Sequence, residues 1–237
     1  MQVNIILVPD MVQLDATGPY EVMARTPGWN IDLVAASLEP VRTERGLTIL
    51  PTRTRETAHP SDLFVVPGGS GIDRAMLDAE WIVYTRREVE QARFVFGICT
   101  GSLLLAATGA LKGRVAGGHW LSRALLAQFG AVVSEERMTI DGKFYTSGGV
   151  TSGIDMALRV VADIAGEETA RKIQLQIEYD PAPPFNGGSP RTSPPEITAA
   201  LREAGRERCV KREQIVAEAV ARLREPPDRI IAAHTTM

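Results

Sequence analysis

The sequence has few of the residues on which secreted, disulfide-bonded or nucleic-acid-binding proteins depend. Its 237 residues include two cysteines, three histidines and only 5% aromatic residues, and 26 basic residues face 29 acidic ones. Two cysteines cannot form a disulfide framework, and free cysteines are typical of a reducing cytosol. A net charge of −3 supplies no excess positive field for a polyphosphate backbone, so we expect no nucleic acid partner.

Long apolar runs are absent as well. No window approaches the ~18 consecutive apolar residues of a membrane span, and the N-terminal strand lacks the basic segment that begins a signal peptide. We therefore expect a cytoplasmic protein with no membrane partner. No Cys, His, Asp and Glu grouping has zinc spacing, and no glycine-rich segment continues as a P-loop or as G-x-G-x-x-G, so neither a metal nor a nucleotide cofactor is indicated.

Short apolar runs alternate with stretches of helical periodicity, which predicts a layered α/β fold. Runs that are apolar on both faces suit a parallel sheet covered on two sides. The predicted strands are 3–8, 31–35, 63–66 and 94–98. The predicted helices are 18–25, 72–77, 81–92, 101–108, 121–129, 151–164 and 167–177.

Turn residues and prolines mark the remaining segments. Residues 42–50 resemble a hairpin or an extended excursion, and Asp141-Gly142 is typical of a tight turn between two further strands. The proline-rich arm, residues 180–195, contains six prolines and cannot be regular helix or central strand. We expect one α/β domain over 1–195, including this arm, and a helical extension over 196–237 that packs on the same domain and frays after Pro226.

The strongest chemical signal is Cys99, where an apolar strand ends and a turn of small residues leads into an apolar helix at Gly101. In such a strand-to-helix elbow a nucleophile projects from the carboxyl edge of the sheet, and the helix N-terminus favours the thiolate. Cys99 is therefore a candidate nucleophile that needs no histidine. The alternative is a buried structural cysteine, the usual state of a free one.

Two other segments are predicted to reach the same edge of the sheet. The backbone amides of Gly68 and Gly69 follow a strand, and we expect them to meet the amide of Thr100 around a developing negative charge. The alternative is a tight turn in which the glycines serve only the backbone geometry. Asp15 follows the first strand, where its carboxylate can exchange protons with the thiol or serve only as an N-cap.

Two weaker candidates lie further along the chain. His119, followed by Trp120, is either a base for the thiol or a cap, and the turn around Val150 is a candidate pocket wall. Cys209 lies on a charged helix without an elbow or a glycine-rich partner, and we interpret it as incidental.

In their order along the chain, these motifs resemble the DJ-1/PfpI superfamily. The matching motifs are Leu14-Asp15 with Thr17-Gly18-Pro19, Pro67-Gly68-Gly69, Cys99-Thr100-Gly101-Ser102 and His119-Trp120. The stretch from Gln174 to Pro190 looks more narrowly like that of the bacterial isocyanide hydratases, and the similarity runs from about residue 3 to 225.

The resemblance implies a flavodoxin-like three-layer α/β sandwich with a mostly parallel central sheet, a homodimer, and addition of water to an isocyanide to give an N-formamide. It implies no metal or organic cofactor. Cys99 would be the nucleophile that forms a covalent thioimidate, Asp15 the acid and base, and Thr100 a neighbour of the thiol. The residues expected around the bound substrate are Gly69, Ser70, His119, Trp120 and Val150.

The chain departs from two groups of the superfamily, and each departure excludes an activity. Protease-like members have histidine after the cysteine, where this chain has Thr100, so we expect no peptidase activity. Regulator members carry a DNA-binding region after this domain, whereas only residues 196–237 follow the arm, so we expect no DNA-binding regulator. The alternatives are a glyoxalase or deglycase, in which His119 would matter more, and a non-catalytic redox or ligand sensor in which Cys99 is oxidised.

Overall fold

The computed structural model describes residues 1–224. The strands are β1 (Gln2–Ile6), β2 (Asn30–Ala35), β3 (Val41–Arg42), β4 (Thr48–Ile49), β5 (Arg53–Thr54), β6 (Leu63–Val66), β7 (Phe94–Ile98), β8 (Val115–Ala116), β9 (Val132–Val133), β10 (Met138–Asp141) and β11 (Phe144–Ser147). The α-helices are α1 (Gln13–Met23), α2 (Gly71–Ala75), α3 (Ala79–Gln91), α4 (Gly101–Ala107), α5 (Ser152–Ala165), α6 (Glu167–Gln176), α7 (Pro195–Ala204) and α8 (Arg206–Arg224).

Seven strands form the central sheet, in the order β10-β11-β7-β6-β1-β2-β5. All neighbours are parallel except β10 and β11, which form the antiparallel hairpin predicted around Asp141-Gly142. Strand β7 lies beside β6 and β11, so the residue that follows it is flanked by the turns after both neighbours. The predicted hairpin at 42–50 is confirmed as the antiparallel pair β3–β4.

Hydrophobic clusters cover both faces of the sheet. Alternate sheet residues such as Phe64 and Val95 pack with α2, α3, α4 and α8 on one face, whereas Phe96 and Ile98 pack with α1, α5 and α6 on the other. Because successive strand side chains point to opposite faces, both faces need an apolar cover. The structure thus confirms the predicted flavodoxin-like three-layer sandwich.

Several predicted helix bounds need correction. Helix α1 begins at Gln13 and continues through Pro19, giving up one backbone hydrogen bond, where the sequence predicted a start at residue 18. The segment Arg123–Phe129 is a 3₁₀ helix and not the α-helix predicted at 121–129. Gly205 separates α7 from α8 in the predicted helical region.

The two C-terminal helices of the described chain differ in how much of their surface is buried against the domain. Val216 and Ala219 of α8 are buried in the hydrophobic core, whereas α7 has no buried residue. The proline-rich arm has no helix or strand before Pro195, as predicted, and its Phe185 is 82% exposed. The division at residue 195 stays a prediction, and the fraying predicted after Pro226 lies outside the described residues. Within residues 1–224 no helix is long and apolar enough to cross a membrane.

Candidate active site

Cys99 occupies the elbow that the sequence predicts. It follows β7 directly, and its φ of 58° lies in the left-handed region that non-glycine residues rarely adopt. Its backbone N–H donates to the carbonyl oxygens of Ser147 (3.0 Å), the last residue of β11, and of Gly148 (3.1 Å), which follows that strand. The residue is 5% exposed, so the neighbouring strand holds the strained backbone in place while the thiol is buried.

Gly68 brings three candidate residues together. A Cβ atom at this position would lie 2.6 Å from the Thr100 nitrogen, 2.7 Å from the Cys99 Cβ and 2.9 Å from the Asp15 Oδ2. These separations are shorter than side-chain contacts allow, so only glycine permits this approach. The turn after β6, the elbow after β7 and the first turn of α1 therefore meet at one point.

Hydrogen bonds from the glycine turn orient two of these groups. The Gly68 N–H donates to Asp15 Oδ2 (3.0 Å), and the Gly69 N–H donates to the Thr100 hydroxyl oxygen (2.8 Å). The Thr100 hydroxyl donates in turn to the Gly69 carbonyl (3.0 Å). In this conformation each glycine amide already has a partner, so the expectation that both surround a developing charge stays a prediction. They hold the carboxyl group and the hydroxyl in position.

Asp15 lies in the first turn of α1 and is not its N-cap, which is Val12. Its side chain is fully buried, and its Oδ1 has no hydrogen-bond partner within the described residues. Burial raises the pKa of Asp15 to about 7, against the opposing effects of the Gly68 amide and Cys99. Asp15 can therefore hold or release a proton near neutral pH, as an acid and base must.

The pKa of the Cys99 thiol is raised, chiefly by burial and next by the nearby charge of Asp15. The amide of Thr100 and the positive charge of Arg212 oppose this rise. Burial thus opposes the stabilisation of the thiolate that is expected from the helix N-terminus. The charge of Asp15 disfavours loss of the Cys99 proton, whereas the hydrogen bond with Cys99 lowers the pKa of Asp15. The two groups therefore titrate as a pair, and Asp15 is the adjacent group that can accept the thiol proton.

His119 contacts Cys99 through the backbone. Its N–H donates to the Cys99 carbonyl (3.2 Å), while its ring Nδ1 accepts the Leu121 N–H (3.3 Å). Burial, followed by the charge of Arg212, lowers the pKa of His119 to about 4, so the ring is neutral at pH 7. Within the described residues no hydrogen bond joins its imidazole to the thiol, and the predicted role as a base has no geometric support.

A cavity of about 1070 Å³ adjoins the elbow, and Cys99 itself does not line it. His119, Trp120 and Val150 contribute to its wall, together with part of the proline-rich arm, α7 and α8. Val150 has a φ of 25°, a rare conformation for a β-branched residue. Cys209 also lines this cavity, a position that its charged sequence surroundings did not indicate.

Ser70 faces a different space. Its hydroxyl donates to the Asp10 carbonyl (3.3 Å), and it lines a second cavity of about 700 Å³. His119 and Trp120 line both cavities, so they separate Ser70 from the space beside Val150. The structure therefore gathers Cys99, Asp15, Thr100 and Gly69 into one cluster and distributes the remaining candidates over two adjoining cavities.

Comparison with known proteins agrees with this geometry. A model of the DJ-1/PfpI family matches residues 1–163, more than half of the chain. The chain belongs to the DJ-1/PfpI family. The resemblance inferred from the Cys99 elbow and the glycine turn is thus confirmed.

The relatives of this chain include an enzyme and a transcriptional regulator. An isonitrile hydratase from Pseudomonas putida is 40% identical over 223 residues, which cover 94% of this chain and 98% of that protein. A transcriptional regulator of Pseudomonas aeruginosa, GbdR, is 31% identical over 57% of this chain but only 37% of its own length. The hydratase is therefore matched as a whole, and the regulator only in part.

Solved structures show the same fold. A ThiJ/PfpI family protein from Pseudomonas syringae superposes with a TM-score of 0.88 and 37% identity, covering 91% of this chain and 90% of that chain. Oxidised DJ-1 from Toxoplasma gondii gives a TM-score of 0.66 at 23% identity, over 76% of this chain and 99% of that chain. The second likeness concerns the fold alone.

Proposed function

We propose that this enzyme is an isocyanide hydratase, a lyase that adds water to R–N≡C and yields the formamide R–NH–CHO. The observation that carries the proposal is the buried pair of Cys99 and Asp15, in which a nucleophile at an elbow adjoins a carboxyl group whose pKa is about 7. The near full-length similarity to the Pseudomonas putida isonitrile hydratase supports the same substrate class, since isonitrile is another word for isocyanide.

The first step joins the thiol to the substrate. The Asp15 carboxylate accepts the thiol proton, the Cys99 sulfur attacks the terminal carbon of the isocyanide, and a C–S bond forms. Asp15 then delivers that proton to the same carbon, which gives a thioimidate, Cys99–S–CH=N–R, with the carboxylate restored. The unpartnered Oδ1 of Asp15 is the atom available for this transfer.

The second step releases the product. Asp15 removes a proton from water as the water oxygen bonds to the thioimidate carbon, and returns it to the imine nitrogen. The tetrahedral adduct collapses when Asp15 takes the hydroxyl proton, a C=O bond forms and the C–S bond breaks. The thiolate then recovers that proton from Asp15, so each turnover consumes only water and isocyanide.

The surrounding groups suit a narrow, uncharged functional group. The linear –N≡C group is slender enough to reach a thiol that is 5% exposed, while the rest of the molecule lies in the cavity beside His119 and Trp120. A neutral His119 adds no charge that would favour an ionic substrate. Thr100 follows Cys99 directly in the chain, and Gly69 fixes its hydroxyl, so we expect Thr100 to border the intermediate.

The direct test combines turnover with detection of the covalent intermediate. An aryl isocyanide is mixed with wild type, Cys99→Ala and Asp15→Asn, the formamide is measured, and intact-protein mass spectrometry detects the adduct. We expect Cys99→Ala to lose turnover and adduct together, and Asp15→Asn to lose at least about 100-fold in kcat because one group serves both proton transfers. Cys209→Ala is the matched thiol control for the adduct, which should persist.

Full turnover by Cys99→Ala would refute the scheme. Peroxide-dependent modification of Cys99 in a wild-type protein that turns over no isocyanide would favour the sensor. A glyoxalase or deglycase has less support, because the His119 ring is not hydrogen-bonded to the thiol in the described structure.

We also propose a cytoplasmic homodimer. Both cysteines are free, which suits a reducing compartment. Phe185 in the proline-rich arm is 82% exposed, and Ile197 and Leu201 of α7 are 51% and 53% exposed. A second copy of the chain would cover such apolar side chains, and analytical ultracentrifugation over a range of concentrations tests this directly.

A further inference from the structure

Arg212 of α8 is a buried cation whose guanidinium nitrogens all donate hydrogen bonds to side chains. The residue is 5% exposed, and its Nε and Nη2 donate to the two carboxylate oxygens of Asp73 at 2.6 and 3.0 Å. Its Nη1 donates to the Ser122 hydroxyl at 2.8 Å. Burying a guanidinium is costly unless it is paired, and the planar fork fixes both partners in direction as well as distance. Arg212 therefore joins two segments that are distant in sequence.

Both partners belong to segments that border Cys99. Asp73 lies in α2, directly after the turn whose Gly69 amide holds the Thr100 hydroxyl. Ser122 closes the turn after His119, with its N–H donating to the His119 carbonyl at 2.8 Å.

These contacts form a closed ring around the nucleophile. From Arg212 the ring passes through α2 to Gly69 and Thr100, which adjoins Cys99 in the chain. It returns from the Cys99 carbonyl through the His119 N–H (3.2 Å) and the His119 turn to Arg212. A shift at Arg212 would therefore move the segments on both sides of Cys99.

We propose that Arg212 is a positioning residue for the reaction at Cys99, holding the Gly69 turn and the His119 turn at a fixed separation on either side of the thiol. The inference rests on the proposed hydratase activity, but one of its readouts uses no isocyanide. Arg212, more than 110 residues further along the chain than Cys99, thus completes a site whose nucleophile lies in the elbow after β7.

The positive charge of Arg212 also favours the reactive form of Cys99, in addition to the positioning of the two turns. It lowers the pKa of the Cys99 thiol, which burial and Asp15 raise. Glu44 acts on the pair indirectly, because its charge raises the pKa of Asp15. On His119, Arg212 acts together with Arg208 and Arg123, and all three lower the pKa of the ring.

The test compares two variants. Arg212→Met removes both the charge and the two-pronged hydrogen bonding of the guanidinium, whereas Arg212→Lys keeps only the charge. The matched control is Arg222→Met, on the same helix. Arg222 Nη1 donates to the Leu77 carbonyl (2.6 Å), and this hydrogen bond is not part of the ring of contacts around Cys99. The measurements are kcat and KM for an aryl isocyanide, and the pH profile of Cys99 alkylation by iodoacetamide, resolved from Cys209 by peptide mass spectrometry.

We expect Arg212→Met to lower kcat about 10- to 100-fold with little change in KM, because a small displacement of catalytic groups has this cost. Its Cys99 alkylation profile should move to higher pH, since a stabilising positive charge is lost. Arg212→Lys should lower kcat but keep the wild-type alkylation profile, and Arg222→Met should match wild type in both measurements.

A double variant separates positioning from stability. Replacing the pair in Arg212→Met/Asp73→Leu should restore much of the thermal stability, because a buried ion pair exchanged for apolar side chains is often neutral. The proposal holds if kcat stays low in this stable variant. It is overturned if kcat recovers together with Tm, or if folded Arg212→Met keeps the wild-type kcat and alkylation profile. A wild type without hydratase activity would refute the proposed function, while the alkylation comparison would still test Arg212.

Discussion

The two sides of the candidate site are built in different ways. The inner wall, formed by Asp15, Gly68, Thr100 and Cys99, is buried, and Gly68 lies so close to the other two segments that no Cβ atom fits between them. The outer wall, formed by the arm (180–195) and α7, has no buried residue in its helix and exposes Phe185.

This difference separates two tasks. The inner wall holds the groups that the proposed mechanism uses for proton transfer and bond formation, and such geometry requires close packing of backbone against backbone. The outer wall borders the cavity proposed for the rest of the substrate and exposes apolar side chains that the proposed dimer would cover. Substitutions should therefore be costly on the inner wall and tolerated on the outer wall unless they alter association.

The largest expected effect is that of Gly101→Ala, at the start of α4. A Cβ atom there would lie 2.0 Å from the Val66 carbonyl oxygen, a backbone atom that cannot move without displacing β6. We expect a loss of about 3 kcal/mol or more in the free energy of unfolding, measured by urea denaturation. Gly188→Ala on the outer wall is the matched control, because a Cβ atom there meets nothing within 4 Å. Equal losses at both positions would contradict the distinction between the walls.

A smaller, pH-dependent effect is expected for Asp15→Asn. The pKa of Asp15 is raised from 3.8 to about 7 in the folded chain, so the contribution of Asp15 to stability is fully present below pH 3.8 and is lost as the pH rises through 7. Asparagine does not titrate, and its side-chain oxygen can still accept the Gly68 N–H. We expect the variant to gain about 2–4 kcal/mol relative to wild type between pH 4 and pH 8, while it loses activity.

Thermal unfolding at pH 4, 6 and 8 measures this gain. Asp180→Asn, at an exposed position in the arm, is the control for removal of one negative charge. A difference between Asp15→Asn and wild type that does not change with pH would show that burial does not control the titration of Asp15.

Much of the inner wall follows from the sequence, because its signals are local. The run 94–98, Cys99 and the small residues after it specify a strand, an elbow and a helix start, and β6 and β7 have the predicted bounds. The hydrogen bonds of Gly68 and Gly69 were not predictable, since their partners depend on how three segments meet. The raised pKa of Cys99 was missed because helix position is visible in a sequence whereas burial is not.

Long-range side-chain contacts are also absent from local patterns. Arg212 is one of many charged residues on α8, and nothing in its spacing distinguishes it from Arg222, which is half-exposed. The start of α1 was misplaced because Pro19 normally disfavours the interior of a helix, yet the packing of Gly18 against Ile154 holds it there. Tertiary contacts outweigh local preference at both positions.

The smallest effect on the folded chain is expected for Phe185→Ser, on the outer wall. Because this side chain is 82% exposed in a single chain, we expect its loss to change the free energy of unfolding of the monomer by no more than ~0.5 kcal/mol. If a second copy covers the ring, burial of a phenylalanine is worth about 1.5–3 kcal/mol, so self-association should weaken at least about tenfold. Sedimentation across a concentration series measures this change, with Val83→Ser, 60% exposed on α3, as the matched control. Equal weakening by both variants would indicate that association depends on general surface apolarity. Weakening by Phe185→Ser alone would indicate that the outer wall, unlike the inner wall, joins two copies of the chain.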